Sequence, residues 1–437
     1  MSETKLINRW WIVAGGILIQ LCLGAIYAWA AFTGELTAEP FEFTRAQTQI
    51  VFAVGLASFA GFMALIAGRW QKRVGPRKVA LTGGLVLGAG YLLAGLSGTS
   101  FWGILLGVGL LGGAGIGLGY VCPIAALVKW FPDKKGFITG LAVAGFGFGA
   151  LIWIKLTEGF QFGPVDLTPG WAGLYGMGWN VNDVFILYGI LFAALVGLGS
   201  LAMINPPDGY CPEGWTPPTG AAAQLSGGQD FTEREMMATP QFWGLFFIFL
   251  VGATSGLMII GIIRLFGLDA LTDPTRAGLS ETDALLATGT AMGLFYSLFN
   301  GVGRILWGRI SDQIGRRASI ALMSASQGII MMTFFFLGSS VTGLCIGAAV
   351  IGFNFGGNFA LFPAATADYF GNRNVGTNYP WVFLSYGVGG IIGPILGGAM
   401  GDQQAWIWAF IPAGAACLVA AGVALALKPP RHPGPAL

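Results

Sequence analysis

Apolar stretches of membrane-spanning length, broken by short polar loops, run along almost the whole chain. A helix needs roughly 20 apolar residues to cross the hydrocarbon of a bilayer, and its backbone groups must be paired internally. Twelve stretches satisfy this. In the first half the pattern predicts helices over Trp10–Thr33, Ala46–Trp70, Lys78–Gly98, Phe101–Lys129, Phe137–Thr157 and Asp183–Ile204. In the second it predicts Pro240–Leu268, Thr282–Gly308, Arg317–Gly338, Val341–Ala367, Thr377–Met400 and Ala405–Leu427, the seventh ending near Arg264. The first stretch follows Lys5 and Arg9 but is too long for a signal peptide, so it is expected to stay as a helix. Between the two sets, Pro206, Pro207, Pro212, Pro217 and Pro218 mark a tether rather than a span. The expected organisation is a six-helix bundle over 1–204, a cytoplasmic linker over 205–239 and a second six-helix bundle over 240–437.

The two halves repeat each other at an offset of 240 positions. Gly61, Gly68, Gly75 and Arg77 map to Gly301, Gly308, Gly315 and Arg317, and Pro123 and Gly136 map to Pro363 and Gly376. Glycine matches alone would follow from helix packing, which favours small residues in any membrane bundle. The loops after the second and eighth stretches, and after the fourth and tenth, also recur in register. An all-α membrane protein of twelve transmembrane helices in two pseudo-symmetric six-helix halves is the expected fold, and such duplication is a transporter architecture.

Composition narrows the function classes. Only 10% of the 437 residues are charged and 55% are hydrophobic, with 72 glycines, against roughly 25% charged in soluble domains. Nucleic-acid binding, disulfide scaffolds and ordinary soluble enzymes are poor readings. His432 is the one histidine and the five cysteines show no metal spacing, so no cofactor, metal site or enzyme activity is expected. Most of the 22 Lys and Arg fall in alternate loops, among them Arg69, Lys72, Arg73, Arg77, Lys78, Lys129, Lys134, Lys135, Arg309, Arg316 and Arg317. By the positive-inside rule both termini are expected in the cytoplasm, in a multi-pass protein of a cell membrane.

Arg304 is the sharpest candidate, because a guanidinium inside an apolar span costs roughly 2.5 to 3.5 kcal/mol and usually faces a cavity. Gly293, Ser297, Asn300, Arg304 and Gly308 lie on one helical stripe. A flat guanidinium suits a carboxylate, although Arg304 is also close enough to Gly308 to snorkel toward the loop. Lys155 and Glu158 are spaced for a surface ion pair. Glu35 and Asp368 are placed at span ends.

The segment Gly308-Arg-Ile-Ser-Asp312-Gln-Ile-Gly315-Arg316-Arg317 resembles the signature loop of the major facilitator superfamily. Its first-half copy keeps Gly75 and Arg77 but carries Lys72 where the acid is expected. The resemblance implies a gating latch of Asp312, Arg316, Arg317 and Arg77. Four further segments, Gly24–Trp29, Lys129–Gly136, Leu298–Gly308 and Phe359–Gly371, are similar to the oxalate:formate antiporter family and, more distantly, to the monocarboxylate transporters. That similarity implies alternating-access transport of small carboxylates. It implies a site of Arg304, Asn300, Tyr27, Tyr120, Phe355, Phe359, Phe383 and Tyr386, with Phe146 nearby; Asn354 and Asn358 are also unusual in a span.

Two departures refine the substrate. The antiporters place a Lys where this chain has Tyr386, and monocarboxylate transporters often place an Asp where it has Asn300. A single cation matches a monoanion, since a second buried charge would go unpaired. The expectation is a secondary transporter of lactate- or pyruvate-like monocarboxylates, proton-coupled and monomeric. The alternatives are an oxalate/formate-type anion exchanger and, less favoured, an anion sensor. The partners are a small organic anion, a proton and the bilayer, with no nucleic acid.

Overall fold

The computed structural model describes residues 7–159, 173–207, 209–212, 214–216 and 230–430. Lys5, His432, Pro217 and Pro218 lie outside the described residues, and so does the side chain of Glu158. Within them the chain is helical, without strands. Twelve helices are long and apolar enough to cross a membrane: Trp10–Trp29, Ile50–Val74, Pro76–Leu96, Phe101–Trp130, Lys135–Thr157, Val181–Ser200, Pro240–Thr272, Glu281–Ile314, Arg316–Leu337, Val341–Phe370, Val375–Gly401 and Trp406–Ala426. They are called spans 1 to 12 below.

The spans start and stop where side-chain chemistry allows. Thr44 and Gln47 form a reciprocal capping box before span 2, which satisfies two of the orphan donors of a helix start. Gly75 (φ +84°) and Gly315 (φ +87°) close spans 2 and 8 in equivalent turns, a left-handed backbone that residues with a Cβ adopt at a cost. Span 7 runs past Arg264 and the predicted end at Leu268 to Thr272. The reason is a partner: Trp406 Nε1 donates to the Asp269 carboxylate at 3.0 Å, so the last turns keep a charge without leaving the helix.

Packing repeats along with the sequence. Span 3 lies on span 6 as span 9 lies on span 12, span 2 on span 4 as span 8 on span 10, and span 1 on span 5 as span 7 on span 11. The halves meet chiefly through spans 5 and 8 and through spans 2 and 11. A Cβ on Gly308 would come within 2.9 Å of the Gly136 carbonyl carbon, and one on Gly68 within 2.7 Å of the Gly376 carbonyl oxygen. Glycine is therefore required at both crossings, and the repeated glycine pairs of the sequence are the same contact made twice. Both crossings sit at the cation-rich end of the bundle, where the halves are closed against each other.

Candidate functional site

Span 8 contains a π-helical turn over Ala291–Tyr296 between two α-helical parts, Glu281–Thr290 and Ser297–Ile314. The stripe read from the sequence emerges there, and Arg304 is fully buried. Among the described residues no other Lys, Arg, Asp or Glu is buried to this degree. Arg304 Nε donates to Asn300 Oδ1 at 3.1 Å, one turn back along the helix, and Nη1 donates to the Val143 carbonyl of span 5 at 2.9 Å. Nη2 has no hydrogen-bond partner. The guanidinium carbon lies 4.1 Å from the centre of the Phe359 ring and 5.5 Å from that of Phe146. The cation is thus held by rings and by an amide, with one N–H face open. It does not snorkel to the loop.

The aromatic candidates converge on this group from both halves. Span 1 breaks into a 3₁₀ stretch over Gly24–Trp29 where Gly24 is pressed against the Phe146 backbone. The break presents Tyr27, whose ring meets Phe146 edge-on at 5.1 Å. The Tyr27 hydroxyl is 2.5 Å from that of Tyr386 on span 11. Tyr120 touches Phe146 at 5.3 Å and Phe383 at 5.2 Å. Phe383 contacts Tyr386 at 4.8 Å, and Phe359 contacts Tyr386 at 5.4 Å and Phe355 at 5.2 Å. Edge-to-face rings at these distances stabilise one another beyond their buried area. The hydroxyl of Tyr120 is buried beside the Arg304 guanidinium and the Tyr379 hydroxyl, without a well-formed hydrogen bond to either.

Arg304, Asn300, Tyr27, Tyr120, Phe355, Phe359, Phe383 and Tyr386 therefore form one cluster, with Phe146 at its centre. Three further members escaped the sequence. Phe59 of span 2 lies 5.1 Å from Tyr120 and 5.0 Å from Phe383, and nothing in its local pattern distinguishes it. Tyr379, whose hydroxyl stands beside that of Tyr120, meets Phe383 edge-on with ring centres 5.7 Å apart; its place four residues before Phe383 was a usable signal. Tyr296 precedes Asn300 by four and donates to the Gly256 carbonyl at 3.1 Å. Asn354 and Asn358 do not join the cluster. They face a small void shared with Ser324, Gln327 and Cys417 inside the second half, and Asn358 Nδ2 turns back to the Asn354 and Phe355 carbonyls of its own helix. Lys155 lies in the last turn of span 5, and Glu35 is exposed beyond span 1.

At the cation-rich end, Asp312 ties the halves together. Its carboxylate accepts from the backbone N–H of Gly136 at 3.0 Å and of Phe137 at 2.8 Å, the first turn of span 5. It also pairs with Arg316 at 2.7 Å. Arg316 continues to Asp368 at 2.7 Å, and Lys135 reaches the same carboxylate at 3.0 Å. A carboxylate against a helix start is favoured by unpaired N–H groups and the helix dipole. Arg317 and Arg77 lie apart from this network. Arg317 donates to the Leu425 carbonyl and Arg77 to the Leu201 carbonyl, so each satisfies the C-terminal end of the last span of its own half. Asp368 and Lys135, rather than those arginines, complete the ion-pair network about Asp312 and Arg316.

The model for the Major Facilitator Superfamily matches residues 15–295 and 276–437. An apicoplast pyruvate carrier of Toxoplasma gondii is 28% identical, the match covering 85% of this chain and 80% of the relative. The oxalate:formate antiporter of Oxalobacter formigenes is 26% identical over 92% of this chain and 88% of its own. Among solved structures, the proton:xylose symporter XylE superposes with a TM-score of 0.62 at 14% identity, covering 96% of this chain and 94% of that one; at that identity the likeness concerns the fold. Twelve spans, twice-made crossings and a family match running nearly end to end agree: the chain is a multi-pass membrane transporter belonging to the Major Facilitator Superfamily.

Proposed function

We propose that the protein carries small monocarboxylates, of the size of lactate or pyruvate, across the membrane by alternating access, coupled to a proton. The observation that carries this reading is Nη2 of Arg304, a charged donor buried among rings that makes no well-formed hydrogen bond and has the Tyr27 and Tyr120 hydroxyls beside it. An unmet charged donor in an apolar site is costly, and a carboxylate satisfies it with a charge-assisted hydrogen bond. The Tyr120 hydroxyl, buried beside the guanidinium, supplies a donor for a second oxygen, and the rings exclude water around a short organic chain. Arg304 is the lone fully buried charge among the described residues, which favours one substrate charge over two. The pyruvate carrier among the relatives supports the same class.

In this reading the halves 1–204 and 240–437 rock about the Arg304 cluster, joined by the linker 205–239. The cation-rich end faces the cytoplasm together with both termini, and the monomer is the working unit. Asp312 and Arg316 latch the gate that is closed in this structure. Exchange of one anion for another is the second reading, favoured by the oxalate:formate antiporter relative. Counterflow in proteoliposomes with labelled lactate, pyruvate, formate and oxalate, with and without a pH gradient, separates the two. Monocarboxylate uptake driven by an inward proton gradient is the expected result. Uptake of oxalate equal to lactate would remove the one-charge argument, and uptake that ignores the gradient but needs an internal anion would replace symport by exchange.

A further inference from the structure

The two latches of the bundle are not equal. On the second-half side, Asp312, Arg316, Asp368 and Lys135 fill the space beneath the crossing of spans 5 and 8. At the offset of the repeat their counterparts are Lys72, Pro76, Val128 and Val375. One positive charge thus stands where four balanced charges stand in the other copy, and the side chains there are shorter. The result is a cavity of about 530 Å³, lined among others by Lys72, Lys129, Arg373, Pro76, Asn374 and Gly376. No acidic residue appears among its described lining; Asp208 and Glu213 of the adjoining linker lie outside the described residues.

The missing group can be named by comparison. Asp312 presents its carboxylate to the first N–H groups of span 5 at Gly136 and Phe137. At the equivalent place, the start of span 11 at Gly376 and Thr377 is met by Lys72 instead, whose Nζ donates to Asn374 Oδ1 at 3.0 Å. An ammonium has three donors, so this bond leaves Lys72 with further capacity. Gln71 Nε2 holds the Gly376 carbonyl at 2.9 Å, and Lys129 Nζ reaches Asn205 Oδ1 at 3.4 Å. Two lysines from the first half, an arginine from the second, whose backbone N–H is taken by the Asp230 carboxylate at 3.0 Å, and the positive end of a long helix converge on one space.

We propose that this cavity binds a phosphate or carboxylate oxyanion from solution or from a lipid headgroup, which takes the place of the absent carboxylate and holds the cation-rich gate closed. Because the walls come from both halves, the anion binds the closed gate better than the open one, and by linkage it shifts the equilibrium toward closure.

The test uses the full-length purified protein, with inorganic phosphate as the probe at constant ionic strength against gluconate. Phosphate is expected to raise the melting temperature saturably, and to shorten the distance between spin labels placed at Lys78 and Arg309. In Lys72→Asp, which restores the second-half pattern, and in Arg373→Ala, half-saturation is expected to move at least tenfold higher. Lys134→Ala, a cation on the same face but outside the cavity, is expected to respond like the parent. Lys72→Gln serves as the second variant should Lys72→Asp fold poorly. In a second arm without phosphate, nanodiscs of phosphatidylcholine are compared with nanodiscs containing phosphatidylglycerol. A Lys72-dependent response to phosphatidylglycerol alone supports the site with a lipid headgroup as its occupant. No response to either source, or an equal response in parent and cavity variants, overturns the proposal.

Discussion

Arg304→Lys separates charge from geometry at the site. The parent guanidinium divides its donors: Nε goes to Asn300, Nη1 crosses to the Val143 carbonyl, and Nη2 stays open. A lysine keeps the charge and presents one compact head. That head can serve the Val143 carbonyl or the substrate with good geometry, not both from the fixed directions of a planar fork. The loss is about one hydrogen bond to a charged group, roughly 1.5 to 3 kcal/mol. At 1.4 kcal/mol per factor of ten, the half-saturating monocarboxylate concentration is expected to rise about 10- to 150-fold. The assay is concentration-dependent counterflow in proteoliposomes, with the melting temperature of the purified variant as the check on folding. Arg304→Ala, which also removes the charge and the contact 4.1 Å above Phe359, should abolish specific uptake. A half-saturation within threefold of the parent in Arg304→Lys, or uptake undiminished in Arg304→Ala, would refute the assignment of Arg304 to the substrate.

Tyr386→Lys places a second cation beside Arg304 and is expected to raise the ratio of oxalate to lactate counterflow at least tenfold; an unchanged ratio would separate substrate charge from the number of buried cations. Gly308→Ala drives a methyl into the Gly136 backbone and should cost the closed gate about 1 to 3 kcal/mol, seen as longer distances between spin labels at Lys78 and Arg309; an unaltered distribution would mean the crossing is not tight. Thr44→Ala removes the cap bond from Gln47 N, 3.1 Å long, and is expected to lower stability by about 1 kcal/mol without altering half-saturation, as read from thermal unfolding and transport together.

The site was legible wherever its members shared a helix face. Asn300 and Arg304, Phe355 and Phe359, and Phe383 and Tyr386 are each three or four residues apart, a spacing that puts side chains on one side of a helix. Phe59 was not, because its role comes from a ring on span 4, reached when the first half packs, and one on span 11, reached when the halves dock. The arginines of the repeated loops show the same limit. Arg316 and Arg317 are neighbours of identical chemistry, yet one joins Asp312 and Asp368 while the other turns to the Leu425 carbonyl. Adjacent helical positions point about 100° apart, and only the neighbours of each direction decide the partner.

Hydropathy and charge placement by themselves determined the twelve spans and the presence of one costly cation in span 8, because the bilayer imposes length and polarity on every helix independently of its neighbours, and the glycine and proline matches at a constant offset determined the duplication. The tertiary structure decided what those elements do together. It closed the cation-rich end through two glycine crossings, left one donor of Arg304 without an acceptor, and opened a cavity where Lys72 replaced an acid. These are properties of contacts between distant segments, set by the docking of two halves whose local patterns are nearly alike.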